Sequence, residues 1–206
     1  MRKYIYHFVI LSIIFSSCET EDELDPENTK FYLYENGVTC MCPDTSPGDR
    51  GSINGLEYES VDNDLIRQRR DEGFDMTKLC TSLVTDLAGL FEESDFNQPI
   101  GGWDVSGVTD MKWMFFSTPF NQPIGHWDVS SVLDMTGMFE NSLFNQPLGD
   151  WDVRNVQEMV VMFAHSQFNQ NISSWCVTNI PSEPQEFSFS SPLTSENKPK
   201  WGTCPD

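Results

Sequence analysis

Apolar side chains return along this chain at one fixed interval. Phe96, Phe120, Phe144 and Phe168 each open a Phe-Asn-Gln triplet, 24 residues apart. Trp103, Trp127, Trp151 and Trp175 keep the interval. So do Met111, Met135 and Met159, and the pairs Met114-Phe115, Met138-Phe139 and Met162-Phe163. A fixed period of this length predicts a solenoid, in which each repeat is one coil stacked on its neighbours.

Within one repeat the apolar positions are Ile100, Trp103, Val105, Val108, Met111, Met114 and Phe115. Trp103 and Val105 are spaced as one face of a strand, which turns Asp104 to the opposite, outward face. From Val108 onward the spacing changes to three and four, the mark of an inward-facing helical turn. Asp86, Asp110 and Asp134, with Glu158 in the fourth place, sit where that turn needs a cap. Asn97, Asn121, Asn145 and Asn169 are expected to point inward and answer backbone groups left unpaired by the turns. The prediction is an α/β, leucine-rich-repeat-like solenoid of 24-residue coils, each a short parallel strand, a turn and a short helix or 3-10 segment.

The pattern extends beyond its most regular copies. Val84-Thr85-Asp86-Leu87 precedes Val108-Thr109-Asp110-Met111 by one period, Leu90-Phe91 precedes Met114-Phe115, and Leu79 stands where Trp103 stands. After Trp175 the repeat decays: Cys176 replaces the aspartate, and Pro181 and Pro184 end the helical part. Residues 79–180 therefore read as the repeat region and 181–206 as a C-terminal cap, with Trp201 over the open apolar end. Residues 31–78 read as the N-terminal cap that an open coil end requires. Within that cap, Ile53-Asn54-Gly55-Leu56 carries a tight-hairpin signal. Residues 61–64 can cap a helix running through 65–72 that Gly73 stops. Arg67, Arg69 and Arg70 read as its solvated basic face.

The first 17 residues look like an export leader. Arg2 and Lys3 precede a mostly apolar run over 4–15, too short to cross a bilayer as a helix. Ser16-Ser17-Cys18 resembles a bacterial lipobox, which would attach a lipid to the Cys18 sulfur; an ordinary secretory signal is the alternative. Phe15 stands where that pattern favours leucine. Residues 18–30 hold Glu19, Glu21, Asp22, Glu23, Asp25 and Glu27, a self-repelling run with little to bury, and read as a disordered tether. Its relaxed reach is about 20 Å, with a limit near ~40 Å. An acidic run directly after a lipidated cysteine is similar to the signal that sends Bacteroidetes-type lipoproteins to the outer face of the outer membrane.

Charge narrows the partners. Lys plus Arg is 12 against 32 for Asp plus Glu, a formal net charge of −20. Such a surface disfavours nucleic acid, whose phosphates demand a basic face, and disfavours anionic headgroups. The expected membrane contact is through the lipid on Cys18 only, and the charge suits cationic partners.

Asp104, Asp128 and Asp152 take the same place in successive repeats and are the weak candidates for a metal site. At a spacing of about 4.8 Å, neighbouring carboxylates repel by roughly 1 kcal/mol in water and about 3 to 4 kcal/mol at an effective dielectric of 20. Two readings remain open: each carboxylate caps its own Asp-Val-Ser turn, or the row meets a cation or a basic partner. Beyond Cys18 there are Cys40, Cys42, Cys80, Cys176 and Cys204, an odd number for a disulfide framework. A Cys176–Cys204 bond would staple the C-terminal cap, while the pairing of Cys40, Cys42 and Cys80 stays open. His126 and His165 fall at unrelated repeat positions, and the chain has no zinc-protease helix motif, nucleophile elbow or phosphate loop. Neither catalysis nor a cofactor is expected.

The motif Phe-Asn-Gln-Pro-Ile-Gly-x-Trp-Asp-Val-Ser-x-Val-x-Asp-Met-x-x-Met-Phe resembles the mycoplasma-type lipoprotein repeat, grouped with BspA-like leucine-rich-repeat surface proteins. The resemblance covers residues 79–180. It implies a cell-surface protein, adhesin-like in some members, and brings no catalytic residues. The resulting expectation is a lipid-anchored outer-membrane protein that binds an extracellular protein or glycan. The alternative is a structural surface-layer component without a specific ligand. A binder should break its repeating face with a non-repeating patch; a spacer should not.

Overall fold

The computed structural model describes residues 30–205. The segments read as an export leader and as most of an acidic tether, together with Cys18, lie outside these residues.

The N-terminal cap holds two small sheets. Strands β1 (Tyr32–Leu33) and β2 (Cys40–Met41) pair antiparallel. Strands β3 (Arg50–Ile53) and β4 (Leu56–Ser60) form a second hairpin. Its turn puts Asn54 and Gly55 at φ 52° and 76°, the left-handed pair that an Asn-Gly loop supplies with little strain. Helix α1 (Asn63–Asp71) starts where the Asp62 carboxylate accepts the Leu65 N–H at 2.9 Å, and its end turns at Gly73, φ 70°. A 3-10 turn over Met76–Lys78 leads into β5 (Leu79–Cys80), parallel to β4, and so into the first repeat.

From there, residues one period apart stack. The rings of Phe91, Phe115, Phe139 and Phe163 form one row with centroids 5.8, 5.7 and 5.7 Å apart. Phe96, Phe120, Phe144 and Phe168 form a second row at 6.0, 6.0 and 6.2 Å. Together with the Trp, Val and Met rows they make one continuous core that runs from Val61 to Leu193. Burying these side chains is worth roughly 1.5 to 3 kcal/mol each. The asparagines differ from expectation: Asn97, Asn121 and Asn169 are exposed. They still join repeats, because the Asn97 side chain accepts the Asn121 N–H at 3.0 Å and the Asn121 side chain accepts that of Asn145 at 2.9 Å. A second row was not anticipated. The buried hydroxyls of Thr118, Ser142 and Ser166 donate to the carbonyls of Phe115, Phe139 and Phe163, three residues back.

Two expected segments take other forms. No backbone hydrogen bond joins successive Trp-Asp-Val segments among the described residues. The Trp N–H is spent in a local turn, as when Trp103 donates to Ile100, and the Val carbonyl in the next one, as when Val105 accepts from Val108. Parallel bridges form later in the repeat, linking Asp86, Asp110, Asp134 and Glu158. The helical segment is instead a run of turns with two left-handed residues per repeat: Gly89 and Glu93, Trp113 and Ser117, Gly137 and Asn141, Val161 and His165. Left-handed residues interrupt an α-helix and free every second N–H for the next coil.

Within the turn segment those freed groups build a ladder of one polarity, whereas just before it the direction reverses, with Thr109 donating to the Thr85 carbonyl and Leu133 to that of Thr109. Leu87, Gly89, Phe91 and Glu93 donate to the carbonyls of Asp110, Lys112, Met114 and Phe116 at 2.9, 2.8, 3.1 and 2.9 Å. The next two interfaces repeat the pattern. At the far end Val161, Phe163 and His165 donate to Gln185, Phe187 and Phe189. There the left-handed residues are Glu186 and Ser190, one residue later than the period demands. The Ser191 hydroxyl and buried Leu193 take the places of Ser166 and Phe168. A degenerate fifth turn segment thus lies past 180, inside the region expected to be only a cap.

The opposite end leaves carbonyls without a preceding coil. Arg67 donates to the carbonyls of Asp86 and Ala88 at 3.2 and 3.0 Å, and Arg70 to that of Leu90 at 2.8 Å. Arg69 grips buried Glu59 with two bonds, 2.6 and 2.8 Å. That grip holds the Glu59 carboxyl below its ordinary range. The arginines are therefore not a solvated face: Arg67 and Arg70 stand in for the missing coil, and Arg69 ties α1 to β4.

Candidate functional site

The aspartate row starts as three equivalent turns. Asp104 Oδ1 accepts the N–H and O–H of Ser106, at 3.1 and 2.6 Å. Asp128 accepts the Ser130 N–H at 3.1 Å, and Asp152 the Arg154 N–H at 3.2 Å. Each carboxylate fixes its own turn, which leaves one oxygen of Asp104 and of Asp128 without a bond to the described chain.

Beyond that shared turn the three diverge. Asp152 is clamped by the Arg154 guanidinium through bonds of 2.8 and 2.6 Å, which lower its pKa. Ser106 and Ser130 fill the Arg154 place in the other two repeats. Among the described residues neither Asp104 nor Asp128 has a lysine or arginine partner. Asp104 is only 6% exposed, contrary to the outward position expected.

What covers Asp104 is the first hairpin. The Cys40 N–H donates to the Gly102 carbonyl at 2.8 Å, docking β2 on the stack. The connecting loop is shaped by Asn36, whose side-chain oxygen accepts the N–H groups of Val38 and Thr39 at 2.9 and 3.0 Å. Between hairpin and stack lies a cleft of about 220 Å³ lined by Tyr34, Met41, Asp104, Ser106, His126 and Asp128, among others. Tyr34 is half exposed at its rim. One His126 ring nitrogen is 2.7 Å from the Gly101 carbonyl, which fixes the imidazole against the neighbouring repeat.

The cleft offers two uncompensated carboxylates, an aromatic face and a thioether, a combination suited to holding an organic cation. Among the described residues no three His, Cys, Asp or Glu converge as a metal-binding set, so the aspartate row does not assemble one. Tyr34 and Met41 were not singled out from sequence. Both lie more than 60 positions before Asp104, and no local spacing signals that approach.

The cysteines stand apart from this chemistry. Cys42 is bonded to Cys80 and Cys176 to Cys204. Cys40 is a buried free thiol whose pKa is pushed up to about 12, first by burial and then by the Asp104 charge. It is protonated at neutral pH and so a poor nucleophile.

Residues 65–175, just over half of the chain, match the family described as Mycoplasma protein of unknown function, DUF285. No curated protein and no solved structure matches the chain. The chain belongs to the DUF285 family.

Proposed function

Starting from that membership, we propose that the chain is a lipid-anchored bacterial surface protein of the BspA-like leucine-rich-repeat kind. Its 24-residue coils form a solenoid, and the solenoid carries a binding cleft for an extracellular macromolecule. One observation carries the binding reading: the cleft beside Asp104 and Asp128 breaks an otherwise repeating face. The hairpin that forms it docks on the stack near Gly102 and supplies residues with no counterpart in the repeats.

The test is capture from surface extracts of neighbouring cells by the full-length protein and by Tyr34→Ala. Tyr34 is half exposed, so its loss should leave the fold intact while a cleft-bound partner is lost. Equal capture by both proteins would remove the cleft from the function. Anchoring is checked separately: Cys18→Ala should abolish lipid labelling and move the protein to the soluble fraction. Display follows from protease added to intact cells; protection there would remove the surface reading and leave the anchor standing.

A purely structural surface-layer role is the second reading. The Asn and Gln rows favour it, because their side chains are spent on neighbouring repeats: Gln122 and Gln146 donate to Asn97 and Asn121.

A further inference from the structure

We infer that the cleft receives an arginine side chain of a protein partner, its guanidinium set between Asp104 and Asp128 and stacked on Tyr34. The inference rests on the binding reading above and names the chemistry of the occupant. Asp152 shows what this row accepts. There the chain supplies its own guanidinium from Arg154, bonded to both carboxylate oxygens. At Asp104 and Asp128, the two positions that line the cleft, serine replaces that arginine and the second oxygens are unclaimed. The row is self-neutralised away from the cleft and left charged within it.

Asp104 makes the vacancy consequential. It is 6% exposed and has no ion-pair partner among the described residues. Ser106 satisfies its Oδ1 with two bonds while the other oxygen takes none from the described chain, so a planar cation that also hydrogen-bonds completes the partners of this carboxylate. Arginine fits better than lysine because its flat fork pairs with carboxylates at two points and stacks on an aromatic face. The volume agrees: about 220 Å³ is below the roughly 300–1,000 Å³ of small-molecule sites and suits a single inserted side chain. The net charge of −20 steers a basic partner toward the surface. A glycan would use Tyr34 but has no need of two unpaired carboxylates.

The experiment is calorimetric titration of the full chain, purified in detergent micelles, with acetyl-Gly-Arg-Gly-amide. The same peptide carrying citrulline, which is isosteric and uncharged, is the control. The expected result is saturable binding of the arginine peptide, weakened about tenfold or more by citrulline, a difference of about 1.4 kcal/mol. Ser130→Arg recreates the Asp152–Arg154 arrangement at Asp128 and should abolish the response by self-occupation. Asp128→Asn should weaken it about fivefold or more. Equal binding of both peptides, no binding of either, or an unchanged response in Ser130→Arg would each overturn the inference. The binding reading fails separately. A partner lost in Tyr34→Ala but unaffected by Ser130→Arg would keep the cleft and discard arginine. A partner retained by both variants would discard the cleft.

Discussion

The two ends of the repeat stack face opposite problems and solve them with different chemistry. Along the turn segment the N-terminal end exposes carbonyls, and Arg67 and Arg70 reach across to donate to those of Asp86, Ala88 and Leu90, while just before it the Asn63 side-chain oxygen accepts the N–H groups of Thr85 and Asp86. At the C-terminal end the exposed groups are N–H. There Val161, Phe163 and His165 donate to the main-chain carbonyls of an irregular fifth turn segment held by a disulfide. The difference follows from ladder polarity. A guanidinium offers several donors on a long flexible stem, so side chains can cap acceptors. Capping a row of donors at regular spacing is most readily done by carbonyls, so the chain supplies one more degenerate turn. Aromatic packing marks the same boundary: Phe187 meets Phe163 edge-on at 90°, where the earlier rings lie nearly parallel.

The largest way to break the comparison is at the N-terminal end. Arg69→Ala leaves Glu59 buried beside only the more distant Arg50, 3.6 Å away. Removing one member of a buried pair costs about 3 to 5 kcal/mol, so chemical denaturation should show a loss of that size. A loss under about 1 kcal/mol would mean that the pair is effectively solvated.

At the other end, Cys204→Ser removes the closure of a 28-residue separation, worth roughly 3.6 kcal/mol in the chain-entropy model. The Tm should fall, and limited proteolysis should cut first after residue 181, because an unstapled chain end frays before the stack. First cleavage in the hairpin of β1 and β2 would show instead that the N-terminal cap is the weaker end.

A finer comparison sets Arg67 against Arg70. Arg67 serves two carbonyls of the open stack end and Arg70 one. Each alanine variant should cost about 1 to 2 kcal/mol, with Arg67→Ala the larger. Equal losses, read by denaturant midpoint at constant m-value, would argue that only charge matters.

The smallest effect is in acid. The Glu59 pKa is lowered from 4.5, mainly by the hydrogen bond from Arg69. Its contribution to stability is therefore fully present above the unfolded value and is lost as pH falls through the folded one. Hydrogen exchange between pH 5 and pH 3 should loosen α1 before the segment around Phe187. Simultaneous loosening would remove Glu59 as the cause.

The repeat interval is legible in the sequence because one row of positions keeps one residue type: Phe at 96, 120, 144 and 168. The turn geometry is not, because Trp113 and Val161 occupy left-handed positions where glycine is the usual signal, and only Gly89 and Gly137 give it. Hidden left-handed residues conceal the ladder, and without the ladder the α1 arginines look like an ordinary exposed face. At the candidate site the aspartate row is visible from spacing. The cleft is not, because it depends on Cys40 meeting Gly102, a contact between unrelated segments.

Scalar couplings across hydrogen bonds test the stack most directly. In a deuterated sample of residues 19–206, the N–H of Leu87, Gly89 and Phe91 should couple to the carbonyl carbons of Asp110, Lys112 and Met114, and that of Phe163 to the carbonyl carbon of Phe187. Couplings from these N–H groups to carbonyls four residues earlier in the same repeat would mean helical segments, and would contradict the one-directional ladder and both of its caps.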